Sequence, residues 1–384
     1  MLDTASVVDS VLPTVVDVRR AIHRHPELAK QEFATTDLVA SHLTDAHLQP
    51  RLRTPRTGLT VDVGTEGPLV VFRADLDALP ITEPRGLPFA SENEGVMHAC
   101  GHDAHTAITL GLALAWAEVG GDRRVRFLFQ PSEEVFPGGA DEILADGLIK
   151  GASAIVAFHV DPHLQTGMVG VKPGPITASA DRFSILLEGP GGHTARPHET
   201  VDIVHAAGHV IANLAGIVSR RLDARAPLAI TFGQVHGGTA DNVIPTSVRM
   251  SGTARTPDQE TWERVPELIR RVAAELAAPF QATVDVRYNR GLPPVVNDAG
   301  LVSRLAPVVE EALGPDTVTT THTSMGGEDF AVYLNEAPGA LFRLGCAGDT
   351  SRSNDLHSAS FMLDERSLRT GLNAGLAILH ELAG

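Results

Sequence analysis

At 384 residues the chain is long enough for more than one hydrophobic core, and its 43% hydrophobic and 20% charged residues are those of an ordinary globular protein. Lys plus Arg total 31 against 47 Asp plus Glu, a formal charge of −16 that argues against a phosphate-backbone partner, so no nucleic acid is expected. No apolar run approaches the roughly 18–20 residues of a membrane span, and two cysteines are too few for a disulfide framework.

In chain order, residues 1–48 read as helical, interrupted by HRHPELAKQE. The opening twenty residues lack a basic stretch followed by an apolar one, so no signal peptide is expected and the expected address is the cytoplasm. TGLTVDVG and LVVFRADLDALP are β-rich runs closed by Gly and Pro. DAHTAITLGLALAWAEV reads as a helix with Asp103 as its expected N-cap. RVRFLFQP is a strand, GGADEILADGLI a helix and ASAIVAFHV a strand, and this alternation implies parallel pairing in an α/β layer. From 182 to 289 the order becomes β-α-β-β-α-β, the ferredoxin-like motif, before helix and strand resume near 300. The expectation is a larger α/β catalytic domain with a mixed or mostly parallel sheet, residues 1–181 and 290–384, interrupted by a smaller α+β domain at 182–289.

Three of these strands end in polar residues, where open α/β sheets place their ligands. LVVFRADLDALP ends on Asp75 and Asp77, RVRFLFQPSEEV on Glu133 and Glu134, and ASAIVAFHV on His159. Singly, each reads as a solvated loop; their convergence with HACGHDAHT (residues 98–106) is the signal. In an extended stretch Cys100 and His102 project to one side, as metal ligands must. A thiol nucleophile would need a base and an oxyanion hole, and the nearby carboxylates oppose a free thiolate. A bound cation reverses that argument. Metal ligation is therefore favoured over a nucleophile or a structural loop. Adjacent residues on an extended segment point to opposite sides, so Glu133 and Glu134 are expected to divide their roles between metal and water. His357, beside Asn354 and Asp355, is alone no more than a surface histidine. Cys100, His102, Glu134, His159 and His357 together make five candidate ligands, more than the three a single catalytic zinc needs, which suggests two metals.

With these residues in view, the sequence resembles the dinuclear-metal aminoacylase/carboxypeptidase family, in the amidohydrolase branch that holds hippurate hydrolase and the indole-acetyl-amino-acid hydrolases. The resemblance runs through HRHPELAKQE, RADLDALP, MHACGHDAHT, FQPSEE, FHVDP, GPGGHTARPH, GGTADNVIP, GTAR, MGGEDF and LHSASF. It implies the five ligands above for two divalent ions (Mn, Zn, Ni or Co), Glu133 as general base, and a lid and dimerisation role for the inserted domain in a homodimer. It also implies that His193 polarises the scissile carbonyl across the subunit boundary, and that Asn242 and Arg255 hold a substrate carboxylate. The implied reaction is hydrolysis of an N-acyl amino acid by a metal-activated water. A metallo-dipeptidase or carboxypeptidase is the rival enzyme, and a catalytically silent metal-binding scaffold the rival of another class. VFPGGA after SEE, where relatives have a run of glycines, departs from the family pattern and bears on substrate choice.

Overall fold

The strand Glu66–Asp75 is buried continuously from Leu69 onward, as a strand covered on both faces must be. It lies at the centre of an eight-stranded sheet in a computed structural model that describes residues 4–53, 57–84, 86–348 and 355–384. The sheet runs in the order Arg51–Leu52, Leu59–Val63, Arg123–Gln130, Glu66–Asp75, Ala152–Gln165, Gly339–Ala347, Val169–Val171, Val318–Thr320. Its four middle strands are mutually parallel, while Leu59–Val63 and Val169–Val171 pair antiparallel, so the sheet is mixed. Parallel pairing brings the carboxyl ends of the middle strands to one edge. Asp75 pairs with Gln130, and two residues past the Arg73–Ala157 pair stand Asp75 and His159.

Helices Thr4–Arg24, His102–Val119 and Arg366–Ala383 pack on one another beside this sheet. Glycine permits the close approach: a methyl on Gly111 would lie 2.4 Å from Val15, and one on Gly371 2.7 Å from Ile108. The first unit comprises residues 1–174, 296–322 and 329–384.

The second unit, residues 175–295 with 323–328, has its own core. Four antiparallel strands run in the order Ala229–Gly237, Ser247–Arg255, Ala180–Glu188, Thr283–Leu292. Alternate residues of the central pair (Phe183, Ile185, Leu187, Val248, Met250) are buried with the helices Ile203–Ser219 and Gln259–Ala277. Both helices begin at an aspartate that caps them: Asp202 accepts from His205 N at 3.0 Å and Asp258 from Thr261 N at 2.7 Å. The chain order and sheet order are those of a ferredoxin-like fold. No described helix is long and apolar enough to cross a membrane.

Two local expectations are corrected. The strand expected to end at His159 continues to Gln165, because Gly339–Ala347 pairs along it in parallel as far as the Ala347–Gln165 pair. The helix expected to be capped by Asp103 begins two residues earlier than that cap implies, at His102, behind Gly101 in the left-handed region. The Asp103 side chain turns away from its own helix toward Arg19 and His23. Residues 1–3 and Asn354, which entered the reading of the sequence, lie outside the described residues.

Candidate active site

Five side chains from four segments of the first unit meet beyond the carboxyl edge of the sheet. Donor atoms of Cys100, His102 and His159 all lie within 4.8 Å of one another, as do those of Cys100, Glu134 and His357. Cys100 belongs to both triads. Its sulfur is 3.5 Å from His159 Nε2 and 3.3 Å from His357 Nε2, and His357 Nε2 is 3.2 Å from Glu134 Oε1. The two glutamates do not diverge as an extended segment would require. Donors of Glu133, Glu134 and His102 fall within one 4.8 Å set, because the chain bends sharply after Pro131.

Several residues around these donors fix their directions. Asp77 accepts the backbone N–H of Glu133 on one carboxylate oxygen and that of Glu134 on the other, each at 2.9 Å. The Asp77 carbonyl lies 2.8 Å from His102 Nδ1, which turns Nε2 toward the cluster. His105, one helical turn on, joins Asp75 to the far wall: its Nδ1 is 2.6 Å from Asp75 Oδ1 and its Nε2 accepts Val160 N–H at 2.9 Å. Arg73, fully buried, pairs with both Asp75 (2.7 Å) and Asp329 (2.8 Å). His357 has φ +60°, a conformation non-glycine residues rarely adopt, and its N–H donates to Ala99 O at 2.8 Å.

One buried atom at the centre, His102 Nε2, has no hydrogen-bond partner among the described residues. Leaving buried polar atoms unsatisfied costs roughly 1–3 kcal/mol each. Thiolate, imidazole and carboxylate donors aimed at shared points are what a divalent cation would satisfy. Burial and the Glu134 carboxylate push the Cys100 thiol up to about 12, against the opposing pull of His102. The thiol is therefore protonated unless a cation displaces its proton. Burial and the nearby Arg343 guanidinium hold His159 well below the usual imidazole range, so it offers a lone pair. The donor set fits the implied pair of ions.

The other expected residues belong to the second unit. His193 pairs with Val243 in a short antiparallel ladder, and Asn242 O accepts Thr194 N–H at 3.2 Å, so His193 and Asn242 stand on adjoining exposed segments. Arg255 ends its strand and donates to Met325 O at 2.9 Å. Cys346 is buried and not bonded to Cys100. His98 is buried with neither ring nitrogen hydrogen-bonded to a described residue, and burial lowers it to about 3. The reading of the sequence left Asp77, Asp75 and Asp329 without roles. Their signal was present for the first two, as paired aspartates at a strand end.

Comparison with known proteins places this arrangement in context. The model of the peptidase family M20/M25/M40 matches residues 71–381. The N-acetylcysteine deacetylase of Bacillus subtilis is 40% identical over 364 residues, covering 92% of this chain and 93% of that protein. A longer Rhodococcus jostii protein, which carries the name of a glutamate–cysteine ligase, is 43% identical over 365 residues. The match covers 95% of this chain but only 46% of that protein, so the chain spans less than half of it. The crystal structure of a Bacillus subtilis protein described as a dinuclear metal binding peptidase superposes with TM-score 0.85 at 34% identity, covering 97% of this chain and 99% of that one.

Proposed function

We propose, from the premise that this chain belongs to the peptidase family M20/M25/M40, that it is a metal-dependent amidohydrolase of small N-acyl amino acids. The observation that carries this reading is the double triad sharing Cys100, with Glu133 beside it and the buried His102 Nε2 left unsatisfied. The name of the 40%-identical relative, N-acetylcysteine deacetylase, supports an acylated amino acid as the substrate class.

In this reading Cys100, His102, Glu134, His159 and His357 hold two divalent ions, manganese, zinc, nickel or cobalt. Such ions supply Lewis-acid polarisation of the scissile carbonyl and lower the pKa of a neighbouring water. Glu133 takes the proton from the attacking water as its oxygen bonds to the carbonyl carbon. As the C–N bond breaks, Glu133 passes that proton to the departing amine, leaving an acid and a free amino acid. Asp77 holds the Glu133 backbone in place during both transfers. His193 is assigned to the developing oxyanion, and Asn242 with Arg255 to the substrate carboxylate, for which a planar guanidinium is suited. The exposed edge strand Ala229–Gly237 supports a homodimer formed through the second unit. Two buried cysteines left as thiols suit a reducing compartment such as the cytoplasm.

The test is Glu133→Gln, assayed with hippurate, N-acetyl amino acids and dipeptides after loading with each metal. The expected loss of turnover is about 10²–10⁴-fold with metal content unchanged. Retained turnover would remove Glu133 from the mechanism. Cleavage of dipeptides alone by the unaltered protein would favour a dipeptidase.

A further inference from the structure

The segment HRHPELAKQE supplies none of the residues assigned above, yet it contains a fully buried carboxylate, Glu32. Glu32 immediately precedes the helix Phe33–Asp45, and its side chain makes no capping bond to that helix. It crosses instead to Ser132, one hundred residues away, directly before the Glu133–Glu134 pair. Glu32 Oε1 accepts the Ser132 backbone N–H at 2.7 Å and its hydroxyl at 3.1 Å, and Oε2 accepts the Thr57 hydroxyl at 2.7 Å. Lys30 N–H adds a bond to Ser132 Oγ at 2.9 Å.

Ser132 is where the bend is made. Its φ is +60°, a strained conformation for a residue with a side chain, which persists only where its surroundings impose it. Its carbonyl accepts Gly139 N–H at 2.9 Å, closing the loop that carries both glutamates. Gly139 has no room to yield, since a Cβ there would sit 1.8 Å from Pro131 O. Asp77 then fixes the next two N–H groups. The direction of the glutamate pair is thus set at Ser132 by Glu32 and at the following residues by Asp77.

We propose that Glu32 is a positioning residue for Glu133 and Glu134, acting through Ser132. This rests on the reading of Glu133 as general base and Glu134 as ligand. An anion taken out of water is a costly way to tie down a surface segment, for which an apolar side chain would serve. A carboxylate is suited to gathering three donors at one point and holding a strained backbone against relaxation.

The experiment uses the full chain as Glu32→Ala, Glu32→Gln and the double variant Glu32→Ala/Ser132→Gly. Three quantities are read: thermal midpoint, kcat and KM on the best N-acyl amino acid, and zinc affinity by competition with a chromophoric chelator. Glu32→Ala is expected to lower kcat by about 10–100-fold with KM within about threefold, and to weaken zinc by about tenfold. Glu32→Gln, which keeps an acceptor toward Ser132, should recover most of both. In the double variant glycine removes the left-handed strain, so the thermal midpoint should return while kcat and zinc affinity stay low. Should kcat and zinc affinity return together with stability, Glu32 only offsets strain and the proposal fails. It fails equally if Glu32→Ala loses stability alone. If Glu32→Ala does not fold, Glu32→Gln and the double variant carry the comparison. A wild-type protein that cleaves no N-acyl amino acid would overturn the proposed function, while zinc affinity would still report on Glu32.

Discussion

His23, in the last turn of the N-terminal helix, is held between two carboxylates: Asp103 Oδ2 at 2.9 Å from Nδ1 and Glu83 Oε1 at 3.0 Å from Nε2. Burial and the Arg19 guanidinium oppose its charge, but the two carboxylates outweigh them and raise it to about 8. Because the folded value exceeds the unfolded one near 6.5, its stabilisation is complete below about pH 6.5 and lost as pH rises through 8. His23→Gln should therefore cost about 2 kcal/mol at pH 6 and much less at pH 9, read from urea unfolding at both pH values. A loss equal at the two pH values would mean that His23 is held neutral. The same residue shows what a sequence conceals. Glu134 and His159 could be picked out as candidates because they stood at strand ends, Cys100 and His102 because HACGHDAHT gathers metal-binding residue types, and His357 only in their company. Asp103 could not be placed correctly, since its expected duty at its own helix was overridden by a cation and an imidazole from about eighty residues earlier. Glu32 was hidden for the same reason. Its partner lies one hundred residues on, and no local pattern points to it.

Gly101 separates two candidate ligands and starts the helix that carries one of them. It has φ +85°, and a methyl group there would stand 2.4 Å from Val160 Cγ2, on the strand that bears His159. Gly101→Ala should destabilise the protein by about 1–3 kcal/mol through backbone strain and displace Cys100 relative to His102. Thermal denaturation with and without added zinc would check this, and a variant as stable and as responsive to zinc as wild type would contradict it. At this scale the sequence was most informative. β-rich runs closed by Gly and Pro marked the strands of the first unit, which are buried on both faces, while alternation fits the half-buried strands of the second. Glu133 and Glu134, expected to be extended, lie instead in a bend, because a left-handed serine at 132 has no signature that periodicity can detect.

Across the whole molecule, the candidate ligands all belong to the first unit, while the second has a separate core. Binding to the folded state alone stabilises by about 2.7 kcal/mol when free metal is 100-fold above Kd. Chelation should then lower the first unit's thermal midpoint by about 5–10 °C and leave a separate transition of the second unmoved. Calorimetry before and after chelator treatment measures this, and an unchanged trace would count against a resident ion. The position of the second unit within the chain also sets the order in which the site is made. Cys100, His102, Glu134 and His159 precede it, and His357 follows about 200 residues after His159. At about 5–20 residues per second, a ribosome takes roughly 10–40 s to bridge that gap. Throughout that interval the nascent polypeptide displays four of the five candidate donors, and the fifth is translated only after the insertion. Completion of the proposed metal centre thus waits on translation of the whole insertion, and a free ion would meet a half-built site before it meets a finished one.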